Sequence, residues 1–315
     1  MPTDSHRPLT FETVVGQKKP IRQLKIHLSA HRKRGGDFQH VLLSGPAGNG
    51  KTTLAEILAR ELGLRFVRLI GPNITSVPDF RERLSSLTSN TVIFIDEVHS
   101  INRKCQELIY RLMEDGIVEI EEDLFGEKIK REIKVNNVVL VGATTNAGQL
   151  TSAMRTRFGI DLVLSPYTAE ELFDIAKFAI ADEWDDQAIQ DVVAISRSIP
   201  RTIVSHIRLA EDYFLADERF DEGTLSHVDT QVVANMRDDK SLKPNGTTEQ
   251  DWRYIMSLMQ DFGNSPTGVD SLASTTGIDK ETIITVIEPY LIELGIIQRT
   301  PTGRMVNMDK VAFTG

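Results

Sequence analysis

An α/β domain on a mostly parallel sheet, then an all-helical domain, then a small module of three helices capped by a hairpin: this is the architecture the sequence predicts. Three observations support it. From Arg7 to about Pro166, helix-like and strand-like segments alternate, as in a parallel sheet covered by helices. Beyond Tyr167 helical periodicity continues without strands through Met236,. After a polar stretch, the remainder carries three helical segments and two short strands, the plan of a winged helix. The expected domains are 1–166, 167–240 and 250–315.

The first segment, residues 15–34, reads as a basic amphipathic helix with Ile21, Leu24, Ile26 and Leu28 among its apolar positions and a solvated charged face,. Short, mostly apolar runs predict buried strands at 41–44, 66–70, 92–96 and 138–142,. A hairpin is expected between 117–122 and 128–135, turned around Phe125 and Gly126,. Helices follow at 169–181, 186–196 and 201–216. The polar segment 237–248, with Pro244, Asn245 and Gly246 in it, reads as a linker,. The last domain is expected to hold helices near 252–262, 268–275 and 280–294, then strands at 296–299 and 304–307. In its third helix Ile283, Ile284, Val286, Ile287 and Leu291 are read as core,.

A chain of 315 residues with 40% hydrophobic and 26% charged residues has the length for two or three cores and the composition of a soluble globular protein. No apolar run approaches the roughly 18 residues that cross a membrane, and residues 1–8 lack the apolar core of a signal peptide,. The single Cys105 excludes an intrachain disulfide and a multi-cysteine metal cluster. It points to a reducing, cytoplasmic setting, with the thiol packed in a helix. A net charge of −9 argues against wholesale wrapping by nucleic acid and leaves local contacts through a few arginines open.

Chemistry concentrates in the first domain. Gly45-Pro46-Ala47-Gly48-Asn49-Gly50-Lys51-Thr52 follows a strand and opens a helix, the setting a G-x-x-x-x-G-K-T phosphate loop requires. Its glycines let successive N–H groups turn toward one anion, and the helix dipole adds positive potential. Gly48, Gly50, Lys51, Thr52 and Thr53 are therefore the expected nucleotide-binding positions. Lys51 would reach the β- and γ-phosphates of ATP, and the Thr52 hydroxyl would ligate Mg²⁺. The run Thr91 to Glu97 delivers two carboxylates at the end of a buried strand. Asp96 would hold Mg²⁺, and Glu97 would orient and deprotonate the attacking water. After the strand ending at Thr144, Thr145 is the expected polar sensor of the γ-phosphate, with Asn146 as the alternative. Arg157, in Arg155-Thr156-Arg157-Phe158-Gly159, is a candidate to stabilise the γ-phosphate of a neighbouring subunit. Arg201, behind Pro200 at a helix start, would couple ATP state to the angle between domains.

This ordered set resembles the AAA+ ATPases, and more closely the RuvB family within them, the motors of Holliday-junction branch migration. The residues carrying the resemblance include Val15-Gly16-Gln17, Gly45 through Ala55, Phe94 through His99 and Gly142-Ala143-Thr144-Thr145. Further along they include Arg157-Phe158-Gly159-Ile160, Pro200-Arg201, Glu288-Pro289-Tyr290-Leu291-Ile292 and Gln298-Arg299-Thr300-Pro301 with Gly303-Arg304. The resemblance implies an AAA+ P-loop domain, a helical lid and a winged helix, working as a homo-hexameric ring on double-stranded or branched DNA. By resemblance Arg7 and Tyr167 would flank the adenine, Arg157 would act in trans, and Arg201 would be a second sensor. Arg299 and Arg304 would contact the DNA backbone from the tip of the wing. Residues 251–315 hold five Lys and Arg against eight Asp and Glu, so each subunit's grip on DNA is expected to be weak and suited to sliding. The third helix offers little that could bond bases, which argues against sequence-specific readout.

Several positions depart from the family pattern. Asn49 stands where leucine is common, Asn146 and Ser100 where arginine is common, and Thr302 replaces a basic wing residue. In the family the hairpin docks the junction-binding protein RuvA through an apolar, glycine-containing tip. Here residues 119–128 are far more acidic, with Leu124 and Phe125 available as an apolar plug, so a RuvA-like partner is set against that acidity. Two other readings stand beside the motor: an AAA+ loader or switch that does not translocate, and a DNA-binding regulator with a vestigial ATPase.

Overall fold

The computed structural model describes residues 8–85, 89–124, 127–180, 183–221 and 223–311. Arg7 and the hairpin tip, Phe125 and Gly126, lie outside them, as does the side chain of Leu124. The chain divides into two compact units, Met1–Glu171 and Leu172–Gly315. The expected break between residues 240 and 250 falls inside the second.

The first unit is built on α1 (Lys18–Arg34), β1 (Val41–Ser44), α2 (Lys51–Leu62), β2 (Arg65–Ile70), α3 (Val77–Ser85) and β3 (Thr91–Asp96). It continues through α4 (Arg103–Asp115), β4 (Ile117–Leu124), β5 (Glu127–Lys134), β6 (Val138–Thr144), α5 (Ser152–Arg155) and β7 (Ile160–Val163). Five strands form a sheet in the order β2-β3-β6-β1-β7, every pairing parallel. Side chains alternate between its two faces. Leu42, Ile93, Ile95 and Leu140 join Phe80, Cys105 and Ile109 in one core. Val41, Leu43, Val92, Phe94, Val139 and Val141 join Leu24, Leu54 and Leu58 in the other. Burial on both faces is why the central strands β1, β3 and β6 read as apolar runs,.

The edge strand β7 was not among the expected strands. Only Ile160 and Leu162 turn inward, while Asp161 and Val163 face solvent, so it lacks the continuous apolar signal of its neighbours. The β4–β5 hairpin forms a separate antiparallel pair. Its base is tied down by Glu119, which pairs with Arg81 at 2.8 Å and Arg111 at 3.0 Å, while Arg111 also pairs with Glu132.

The second unit holds α6 from Leu172 onward (the whole helix is Ala169–Ala179), α7 (Asp186–Ile195), α8 (Pro200–Leu215), α9 (Glu218–Asp221) and α10 (Thr230–Asp239). Ile189, Val192, Ile203, Ile207, Val232 and Met236 are buried among them. The winged helix follows with α11 (Glu249–Met256), α12 (Val269–Thr276), α13 (Lys280–Thr282), α14 (Glu288–Glu293), β8 (Ile297–Thr300) and β9 (Gly303–Val306), with α15 (Met308–Val311) after it. Tyr254, Leu258, Leu272, Ile283, Ile287 and Leu291 are the centre of its core.

Two expectations need correction here. In the segment 237–248 the first three residues complete α10 and the far end is packed: Thr247 is buried, and its hydroxyl accepts from the Trp252 indole at 2.9 Å. Gly246 lies so close to Ile195 that a Cβ would stand 2.8 Å from that carbonyl. Its polar side chains bond locally, which is why composition alone gave the appearance of a linker. In the third helix, Ile283, Ile287 and Leu291 are buried but Val286 is 53% exposed. A π-helical turn spans Ile283–Ile287, and the wider turn shifts the apolar stripe off the 3.6-residue spacing.

Candidate nucleotide site and winged-helix face

In the order β3-β6-β1, the loop after β1 and the acids after β3 stand on either side of the β6 terminus, the crevice where open parallel sheets bind ligands. Gly45 N donates to Thr144 O at 3.2 Å, joining the loop to β6. Gly45 has φ +144°, and a Cβ there would lie 2.6 Å from the Leu164 carbonyl, so only glycine fits without strain. Gly48 and Gly50 are left-handed as well, which brings the loop amides round to the start of α2. Thr52 and Thr53 are half-buried in its first turn.

Lys51 is buried, and its ammonium donates to the carbonyls of Gly45 at 2.8 Å and Pro46 at 2.9 Å. These two carbonyls help to hold the cation over the loop. A phosphate oxygen is a stronger partner for it.

Asn49, the departure in the loop, has a structural role. It is 4% exposed, and its amide donates to Ser165 O at 2.9 Å. Gln17 grips the same residue from both sides, donating to Ser165 O at 2.8 Å and accepting from Ser165 N at 3.2 Å. Tyr167 then donates to Asn49 O at 3.4 Å, and a Cβ on Gly16 would lie 2.9 Å from its ring. Tyr167 therefore sits against the phosphate loop. Burial pushes its phenol above the usual range.

At the end of β3, Asp96 accepts from Arg68 of β2 at 2.6 Å. Arg68 was missed in the sequence because a lone arginine in a strand carries no motif. Glu97 is left-handed, with φ 50°. Its Oε2 accepts from the amide of Thr145 at 3.1 Å and from the Thr145 hydroxyl at 3.0 Å. His99 Nδ1 lies 3.3 Å from the same oxygen and 2.8 Å from the Thr144 hydroxyl. Gly71 packs against the Glu97 carbonyl where a Cβ would collide. The sequence motif named Glu97 and Thr145 separately; the structure brings them into contact. Asn146, the alternative sensor, donates its amide to Thr144 and is exposed.

Arg157 leans on its own chain. It pairs with Glu114 at 2.7 Å, donates to Ala153 O at 2.6 Å, and stacks 4.1 Å from the Tyr110 ring centroid. Its neighbour Arg155 holds Asp161 through two N–H groups at 3.2 and 2.9 Å. Arg201 lies in the second unit, exposed in the first turn of α8.

The wing arginines have a protein partner. Arg299 and Arg304 stand directly opposite one another on β8 and β9, one pair back from the Thr300–Gly303 end of the hairpin. Opposed residues of an antiparallel pair share a face, and both guanidiniums reach the wholly buried Glu288. Arg299 bonds its Oε2 at 2.9 and 2.6 Å, Arg304 its Oε1 at 2.7 Å, and Tyr254 donates to Oε1 at 3.1 Å. Burial alone would raise the Glu288 carboxyl; the two guanidiniums outweigh it and hold it below the usual carboxylate range. The side chain of Arg299 is 49% exposed and that of Arg304 19%.

Among the described residues no helix is long and apolar enough to cross a membrane, and no cluster of three His, Cys, Asp or Glu could hold a metal ion. A phosphate loop, a strand-end acid pair with its threonine, and a winged helix define an AAA+ P-loop ATPase carrying a nucleic-acid-type module. The family model described as the Holliday junction DNA helicase RuvB P-loop domain matches residues 6–164, and that of the RuvB C-terminal winged helix domain matches residues 244–312. The chain belongs to the RuvB family. Solved structures agree over nearly its whole length. The Thermotoga maritima RuvB Holliday junction branch migration motor is 32% identical, covering 98% of this chain and 97% of that one with a TM-score of 0.81. Two point mutants of Thermotoga maritima RuvB match at 32% and 31% identity, with TM-scores of 0.83 and 0.82, over 98% of this chain and 98% and 97% of theirs.

Proposed function

We propose that this chain is an ATP-driven DNA motor that moves Holliday junctions as a homo-hexameric ring in recombination and repair. The observation that carries the reading is the double hydrogen bond from Thr145 to Glu97 beside an intact phosphate loop. The two bonds fix the orientation of the carboxylate that would take a proton from water, and their donor is the residue that would sense the γ-phosphate. Lys51 exchanges its two carbonyls for phosphate oxygens. Arg157 leaves Glu114 for the γ-phosphate of the next protomer, and Arg201 reports the nucleotide to the helical domain.

Mg²⁺ fits the donors present. The Thr52 hydroxyl and the Asp96 carboxylate are hard oxygen ligands, and an ion held by one or two such groups plus substrate phosphates needs no protein cage. Bound there, it would neutralise charge on the phosphates. Arg68 holds one of the Asp96 oxygens, Oδ2, at 2.6 Å.

ATP turnover stimulated by duplex DNA, together with migration of a synthetic four-way junction, tests the reading. Lys51→Ala is expected to abolish nucleotide binding, and particle mass with ATP and duplex reports the ring. An absence of both turnover and movement in the wild-type chain rules the proposal out. One observation favours the runner-up, a switch that hydrolyses ATP without translocating: Arg299 and Arg304 are committed to Glu288. Hydrolysis with no junction movement supports that alternative.

A further inference from the structure

We infer that the turn Arg197–Ser198 is a joint fastening the winged helix to the segment that carries Arg201, so that the two move as one piece. The inference rests on the reading of Arg201 as a nucleotide sensor and goes beyond it by naming what transmits the signal.

The turn joins α7 to α8, and Arg201 lies in the first turn of α8. Arg197 and Ser198 are consecutive non-glycine residues in the left-handed region, with φ of 54° and 55°. Single residues visit that region at a steric penalty, and such strain persists only where surrounding contacts over-determine it. Among the described residues the side chains of Arg197 and Ser198 find their partners on the winged helix. Arg197 donates to both oxygens of Asp251, at 3.0 and 3.4 Å, and to Val286 O at 2.9 Å. Its guanidinium lies 4.4 Å from the Tyr290 ring centroid. Ser198 donates to Glu293 at 2.7 Å. The joint therefore touches α11, the π-helical turn and α14 at once.

Its centre is dry. Asp251 is wholly buried, and the same carboxylate accepts from the Thr248 amide and hydroxyl at 2.7 and 2.8 Å, closing the capping box of α11. Tyr290 donates onward to Asn245 O, and Gly246 rests on the end of α7. A buried bidentate pair, a stacked ring and a glycine contact leave no hinge between the turn and the winged helix. Anything that reorients α8 through Arg201 must carry the winged helix along.

The test is a thermodynamic cycle on the full chain, carrying Glu97→Gln to prevent turnover. ATP affinity is measured with and without saturating duplex DNA, and duplex affinity with and without ATP. Linkage requires the two ratios to agree, and the wild-type joint is expected to give a factor of about 5 to 150. Ser198→Ala removes one contact at a half-buried position, and Arg197→Lys keeps the charge but loses the planar fork. Both are expected to bring the factor toward one while each separate affinity stays as it was. A merely structural role would lower affinities or stability without erasing the ratio. A factor unchanged in both variants overturns the joint. So does a wild-type chain that binds ATP and duplex without coupling. A wild-type chain that binds no ATP overturns the underlying reading of the nucleotide site.

Discussion

Glu97 takes both the amide and the hydroxyl of Thr145 on one carboxylate oxygen, at 3.1 and 3.0 Å. The acid at the end of β3 and the threonine after β6 are therefore a single device, held by the left-handed backbone at Glu97 and by Gly71 packed beneath it. Glu97→Gln is predicted to lower turnover by about 10²- to 10⁴-fold, the range for loss of a general base, while ATP still binds. Thr145→Val is predicted to lower turnover with little change in ATP affinity. Single-turnover hydrolysis and equilibrium ATP binding, measured side by side, check both; a Thr145→Val chain of normal turnover would sink the pairing.

Arg157 rests on Glu114, Ala153 O and the Tyr110 ring, partners it must leave to act on a neighbour. Arg157→Ala is predicted to reduce turnover by about 10³- to 10⁵-fold with ATP binding intact. Mixed with Lys51→Ala chains, it should regain part of the activity, because the intact cradle and the intact arginine then meet across a seam. Mixtures no more active than their components would contradict action in trans.

The two wing arginines share Glu288 but differ in exposure. Glu288→Ala breaks a buried pair and is predicted to destabilise the winged helix by about 3 kcal/mol, the lower end for such a loss, because the half-exposed Arg299 can regain water. Arg304→Ala is predicted to act mainly on stability. Arg299→Ala should reduce the salt slope of duplex binding by about one. Urea unfolding and salt-dependent binding separate the two roles, and equal salt slopes for both variants would refute the division.

His206 is buried in α8, its Nδ1 3.0 Å from the wholly buried Ser196 hydroxyl. Burial first, then the charge of Lys240, lowers its pKa to about 4 from 6.5. The unfolded chain then binds the proton more readily, so this contribution to stability is complete above about pH 6.5 and falls away as the pH drops toward 4. The loss reaches about 3 kcal/mol. Urea midpoints measured from pH 7 to 4 should show it, and His206→Gln should flatten that limb. An unchanged slope in the variant would assign the acid sensitivity elsewhere.

Much of the candidate nucleotide site lies within short motifs of the sequence. The phosphate loop works through consecutive backbone groups, so Gly45, Gly48, Gly50, Lys51 and Thr52 lie within one short motif. The three central strands β1, β3 and β6 announced themselves through apolar runs, as burial on both faces demands,, and β2 through a shorter run interrupted by Arg68. The edge strand β7 did not, since its four residues supply only two inward side chains, Ile160 and Leu162.

Local patterning fixed which segments become strands and helices, because periodicity and turn chemistry act between near neighbours. Which charged groups meet was decided only when distant segments folded together. Arg68 on Asp96, Asn49 and Gln17 on Ser165, Arg197 on Asp251, and both wing arginines on Glu288 leave no trace in spacing. The π-helical turn that exposes Val286 belongs to the same class, for packing selects it over the regular repeat. A charge finds its partner through space, and a linear order of residues carries no distance between those far apart in it.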